Sequence, residues 1–175
     1  MNQRHKFWLL SFLLLWTGST WAQIAAPSLQ EIQDRVMIED LMARYEWALD
    51  TGDADAYGAL FTEDAALQSG NRTTQGRAAI TQEVRDLVAR FRAAAGEASA
   101  ETRPARKVIH AHANAVIEIS GDTATARSNW IEVWNIRDGA AEVGAAGEYH
   151  DMLVKQDGRW YFQHRTLLST MTAGP

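Results

Sequence analysis

Residues 45–61, YEWALDTGDADAYGALF, decide how the rest of the chain is read. The segment runs down the last turns of an amphipathic helix, stops at Thr51-Gly52 and restarts at Asp53 as a short second helix to Phe61. Asp50 is thereby left at a helix end. A carboxylate is disfavoured there, because the C-terminal end of the helix dipole is already negative and Asp is a poor helix former. Two readings stay open. Either Asp50 starts an Asx-turn ahead of Gly52, the commoner outcome for such local sequence, or a group elsewhere in the fold holds its charge. Tyr45, five residues earlier, lies about 140° from Asp50 round an ideal helix and shares a cavity rim with it only if the last turn loosens.

Upstream, Ser28 to Glu31 has the spacing of a capping box, and Ile32, Val36, Leu41, Tyr45 and Ala48 or Leu49 recur at helical intervals with charged residues between them. This predicts a first helix of about five turns with one buried face. Downstream, Ala65–Gln68 reads as an edge strand, 69–76 as a polar loop and 77–95 as a third helix with Ile80, Val84, Leu87, Val88 and Phe91 on its apolar side. Gly96 to Pro104 breaks that helix. From Arg106 the period becomes two. Residues 106–120, 123–137, 143–155 and 159–168 are strand candidates, separated by the turn dipeptides Gly121-Asp122, Asp138-Gly139 and Asp157-Gly158. Successive hairpins make an antiparallel meander, so three helices packed on one face of a curved antiparallel sheet give an α+β layout.

At 175 residues and 46% hydrophobic content the chain suits one domain with a sizeable core. It contains no cysteine, which removes disulfides, thiolate metal sites and cysteine nucleophiles together. Arg4, His5 and Lys6, the apolar Phe7–Trp16 and the small-x-small Thr20-Trp21-Ala22 have the form of a secretory signal over residues 1–22. The mature domain is then 23–175, exported to the periplasm or secreted, with no stable membrane insertion after cleavage. Losing Arg4 and Lys6 leaves 15 basic against 22 acidic residues, a net charge of −7. Apart from Arg103, Arg106 and Lys107 the positive charges are scattered, which argues against nucleic-acid or anionic-membrane partners. An outer sheet face carrying Ile131, Val133, Met152 and Val154 predicts a homodimer or homotrimer.

The residue types that carry chemistry gather on the strands. His110, His112 and Asn114 alternate onto one face of the first long strand. Such a stripe is either hydrogen-bonded core or a site. His-x-His also presents two rings to one point, with His150, Asp151 or His164 as third metal ligand, but no spacing signature supports a metal centre. Ser128, Trp130 and Glu132 share a face of the next strand; Tyr149, Asp151 and Leu153 share one on the strand after. Trp130 and Trp134 read chiefly as packing residues. Arg165 lies in the last strand behind Trp160 and Phe162 and needs a carboxylate such as Asp151 or Glu148. No phosphate-cradling loop, nucleophile elbow or dinucleotide fingerprint is present in the sequence.

Several segments together carry a resemblance: Tyr45-x4-Asp50-x2-Asp53, the Leu60-Phe61 that closes the short helix, Arg106-x3-His110-x3-Asn114, the Gly121-Asp-Thr-Ala-x-Ala-Arg-Ser128 hairpin and Asp157-Gly-x-Trp160. In this order they resemble the SnoaL-like proteins of the nuclear transport factor 2-like superfamily over about residues 28–168. The resemblance implies a cone-shaped α+β barrel, with a strongly curved sheet wrapping the first helix round an apolar pocket. It implies kinship with scytalone dehydratase and bile acid 7α-dehydratase, which use an Asp and a His without metal or organic cofactor. Asp50 and His110 match that pair, Tyr45 matches a pocket tyrosine and Arg165 a pocket arginine. Ser128 departs from the pattern, since dehydratases of the family carry His or Asp at about that position.

The expected function is a cofactor-independent dehydratase or isomerase. Asp50, His110 and Tyr45 are its catalytic candidates; Asn114, Ser128, Trp130, Tyr149, Asp151 and Arg165 are those for binding substrate. Its substrate would be a small hydrophobic or aromatic oxygenated molecule. The alternative is a non-catalytic binding protein of the same fold, in which the polar stripe only orients a hydrophobic ligand.

Overall fold

A computed structural model describes residues 26–97, 108–135 and 140–172. Its elements run α1 (Leu29–Thr51), α2 (Ala54–Gly58), β1 (Phe61–Ser69), β2 (Arg72–Gln75), α3 (Arg77–Glu97), β3 (Val108–Ser120), β4 (Thr123–Asn135), β5 (Ala141–Gln156) and β6 (Arg159–Thr172). The expected signal segment, most of the break after α3, the Arg103–Lys107 cluster and the Asp138-Gly139 turn lie outside the described residues.

The signals that bound α1 act as their chemistry predicts. Ser28 Oγ accepts from the Glu31 main-chain N–H at 3.1 Å and Glu31 Oε2 accepts from Ser28 N–H at 2.6 Å, which closes the capping box. Gly52 ends the helix in the left-handed region at φ 69°, where a side chain would be strained. The buried face departs from the expected one. Ile32 and Val36 are 47% and 58% exposed, and the inward residues are Asp34, Ile38, Leu41, Met42, Tyr45, Glu46 and Ala48. Two carboxylates therefore turn inward. Periodicity assigned Asp34 to the solvent side, but a long-range partner set holds it inside: Trp160 Nε1 donates to Asp34 Oδ1 at 2.9 Å and Lys155 Nζ lies 2.6 Å from the same oxygen.

The sheet is open and six-stranded in the order β2-β1-β6-β5-β4-β3. The four long strands form the antiparallel meander, turning at Gly121 (φ 60°) and at Asp157-Gly158 (φ 50° and 77°). β1 is longer than expected and is not an edge, since it lies parallel to β6 and carries β2 on its other side. The edge falls to β2, inside the segment read as a polar loop. Register shifts between Ala113 and Val116, Glu132 and Val133, Ala146 and Gly147, and Met152 and Leu153 interrupt the ladders. Such bulges bend strands and sharpen twist, which lets the sheet curve into the α+β cone.

α1 lies along the concave face and runs opposite to β3. Asp50 meets His110, Glu46 meets His112, and Arg35 Nη2 donates to Ile117 O at 2.8 Å. The helix covers about 22 Å between its outer contacts at 1.5 Å per residue, and β3 covers about 23 Å at 3.3 Å per residue. Helix and strand therefore keep step. Between them and the rest of the sheet, Tyr45, Tyr57, Phe61, Tyr149, Leu153 and Phe162 form the centre of the core.

Candidate functional site

Asp50 is held by the start of β3. His110 Nδ1 lies 2.6 Å from Asp50 Oδ1, and the His110 main-chain N–H faces both carboxylate oxygens at 3.1 and 3.0 Å. These contacts satisfy a negative group at the negative end of α1, so the carboxylate is bound across the fold and not in an Asx-turn. A carboxylate on Nδ1 fixes that nitrogen as the protonated one in neutral imidazole, and proton exchange with any other group falls to Nε2. Both side chains are 16% exposed.

One helical turn earlier the contact is repeated. His112 Nδ1 lies 2.8 Å from Glu46 Oε2, with side chains 19% and 9% exposed. By helical periodicity Glu46 is one of the charged residues between the apolar positions of α1, which puts it on the solvent side. The available signal was the spacing: Glu46 precedes Asp50 by four residues and His112 follows His110 by two, so both pairs bridge the same helix and strand faces. Each imidazole has its own carboxylate, and among the described residues no group of three His, Cys, Asp or Glu gathers to hold a metal ion. His150, proposed as a third ligand, pairs with Glu148 at 2.8 Å, and Asp151 pairs with Arg165.

Beside the two imidazoles, β4 contributes Glu132 opposite His110 and Trp130 opposite His112. Trp134 Nε1 donates to Glu132 Oε1. Trp130 is 4% exposed and packs over Gly147 of β5, where an added Cβ would stand 1.8 Å from the Leu168 carbonyl oxygen and 2.9 Å from the indole. Trp130 thus needs a glycine beneath it. Its Nε1 is buried with no hydrogen-bond partner, as are Ser128 Oγ and Glu46 Oε1.

Deeper still, Arg165 donates through Nε and Nη2 to Asp151 Oδ1 and Oδ2 at 2.8 and 2.9 Å. Its guanidinium carbon sits 4.0, 3.9 and 4.1 Å from the ring centres of Tyr45, Tyr149 and Phe162. Burial would drive the charge off Arg165, but the Asp151 carboxylate outweighs it and keeps the guanidinium more firmly protonated than usual. Burial also pushes the Tyr45 and Tyr149 phenols up, against a smaller opposing pull from Arg165; both are neutral donors at physiological pH.

The structure therefore sorts the expected site residues into layers. Asp50 and His110 meet at the end of α1; Trp130 and Ser128 lie on the inner face of β4 near His112; Tyr45, Tyr149, Asp151 and Arg165 form one buried cluster below. Asn114 is the correction. It is exposed with φ 56°, at the bulge that ends the His110–His112 alternation, so it leaves the stripe. Two surface hollows, of about 450 Å³ on the outer sheet face and about 970 Å³ between α1, α2 and the start of β6, are lined by neither Asp50 nor His110.

A model of the SnoaL-like domain matches residues 30–166. Among solved structures, the fold is similar to an aspartate-to-asparagine variant of a protein of unknown function from Mycobacterium tuberculosis. That match has a TM-score of 0.68 and 26% identity over 83% of this chain and 76% of the other. A protein of Novosphingobium aromaticivorans provisionally named a scytalone dehydratase matches with a TM-score of 0.65 and 26% identity, over 81% of this chain and 87% of that one. From the same organism, a nuclear transport factor 2-like protein with a cystatin-like fold gives a TM-score of 0.65 and 27% identity over 79% and 82%. Among curated proteins nothing matches the chain.

Proposed function

The chain belongs to the SnoaL-like domain family, and from that premise we propose that it is a cofactor-independent lyase or isomerase for an apolar, oxygenated ring compound. The observation that carries the reading is the grip of Asp50 on both Nδ1 and the main-chain N–H of His110. With Nδ1 committed, Nε2 removes a proton from a carbon next to a carbonyl, and Asp50 offsets the imidazolium that forms. The loss of water or the shift of a double bond completes the reaction. The kinship to a protein provisionally named a scytalone dehydratase supports dehydration as the first outcome to test.

The test is a screen of hydroxylated steroids and polyketide-like aromatics for water loss or double-bond migration, followed by His110→Ala on any hit. That variant should lose about 10²–10⁴-fold in turnover, the usual worth of a general base. Ser128 favours a second reading, since its hydroxyl stands where dehydratases of this kind carry an ionisable group. If the protein binds these compounds and turns none over, it is a binding module whose polar stripe orients a ligand.

A further inference from the structure

α1 turns one face to the core and leaves an outward one uncovered. Gln33, Met37, Asp40, Arg44, Trp47 and Thr51 recur along that outward side at alternating steps of four and three residues, the spacing of a seam that meets another helix. None of the six is among the residues that α1 buries. Trp47 is 74% exposed, although an indole is among the side chains that gain most from leaving water. Met37, Asp40, Arg44, Trp47 and Thr51 also line the hollow of about 970 Å³ between α1, α2 and the start of β6. Exposed Val36 and Ala43 widen the strip on one flank.

We propose that this face pairs with the same face of a second copy of the chain, the two α1 helices running antiparallel across a two-fold axis level with Met42. The occupant follows from the order of the residues. A two-fold axis there sets Gln33 beside the partner's Thr51, Met37 beside the partner's Trp47 and Asp40 beside the partner's Arg44, and each pair occurs twice. Polar meets polar, apolar meets apolar and anion meets cation. Within one chain Arg44 Nε already lies 2.5 Å from Asp40 Oδ2, so pairing sets two ion pairs side by side with their charges alternating. The seam carries one charge of each sign, placed symmetrically about Met42, and is therefore its own complement. A purely apolar partner would strand both charges, and a partner of one sign would repel one of them. Trp47 is the anchor, leaving water to pack against the partner's Met37. From Gln33 to Thr51 the seam is about 27 Å long at 1.5 Å per residue, which makes a small interface and a dimer that depends on concentration. The helix paired in this way carries Glu46 and Asp50 to β3 on its other side, and the contact leaves the outer sheet face free.

Sedimentation velocity over about 1–100 µM reads the association directly, and the parent should reach the dimer mass within that range. Arg44→Asp gives the paired seam four carboxylates, and Asp40→Arg gives it four guanidinium groups. Each change alone should weaken association by about tenfold or more. An equimolar mixture of the two variants should form a mixed dimer near the parent affinity, because each copy supplies the charges that the other lacks. Trp47→Ala should weaken the dimer by about 30-fold, as loss of a central aromatic anchor does. These side chains are exposed, so the variants should melt close to the parent. A parent that stays monomeric or forms trimers, charge changes that leave the dimer intact, or a mixture no stronger than its components overturns the inference. A dimer that Arg44→Asp spares and Met152→Asp breaks is held by the outer sheet face, and that result overturns it as well.

Discussion

Arg165 and Asp151 show how little a buried charge resembles a surface one. With the side chains 1% and 0% exposed, removing either leaves the other charged, desolvated and alone. Arg165→Ala or Asp151→Ala should therefore cost about 3–5 kcal/mol in urea unfolding, while replacing both by apolar residues of similar volume should cost much less. A surface pair such as Arg44–Asp40, with side chains 67% and 57% exposed, should change stability by under about 1 kcal/mol when broken. At this scale the sequence was informative where a residue sat badly. Asp50 was out of place at a helix end and Arg165 out of place in an apolar strand, so each advertised a partner. Glu46 did not, because Glu is an ordinary helix residue and the charge pattern put it toward water. Asn114 was misread because alternation assumes an unbroken pleat, and a bulge cannot be seen in a run of His, Ala and Asn.

The elements were legible wherever the signal was local. The capping box, the Gly52 stop and the hairpin turns set the bounds of α1 and of the long strands. Burial on α1 was not local, since Asp34 is turned inward by Trp160 and Lys155 from the far end of the chain. Its burial opposes ionisation, but the hydrogen bonds from Lys155, Trp160 and Gln30 outweigh that and hold its carboxyl below the usual range. A depressed folded value contributes stability that is present above the unfolded value of about 3.9 and lost as pH falls through the folded one. Asp34→Asn should be less stable than the parent at neutral pH, and the difference between their melting temperatures should shrink below about pH 4. Gly147 tests the packing of β5: an added Cβ meets backbone as well as the Trp130 ring, and overpacking of this kind costs about 1–3 kcal/mol or more. Gly147→Ala should lower the melting temperature and alter the Trp fluorescence. The parallel pairing of β1 with β6 was invisible in the sequence, because parallel register is set by tertiary contacts and leaves no turn dipeptide.

For the whole molecule, we propose export and self-association. No helix among the described residues is long and apolar enough to cross a membrane. Mass spectrometry of protein exported from a bacterial host should find Gln23 as the first residue; an intact Met1 chain in the membrane fraction would refute cleavage. The outer sheet face exposes Ile131 at 38% and Met152 at 53%, while Val133 and Val154 are only half-buried. Light scattering at micromolar concentration should return a dimer or trimer, and the mass of one mature chain would count against it. The α+β layout was readable from the order of helices and hairpins, the cone followed from the resemblance to SnoaL-like proteins, and the helix–strand match that brings Asp50 to His110 is its consequence at the candidate site. The direct measurement of that consequence is a double-mutant cycle on the best substrate from the screen, with Asp50→Asn, His110→Ala and the two combined. If the pair is one proton-transfer unit, the double variant is no slower than His110→Ala alone, because each change removes the same device. Rate losses that multiply, or a parent with no turnover whose ligand binding is unchanged in all three variants, would contradict it.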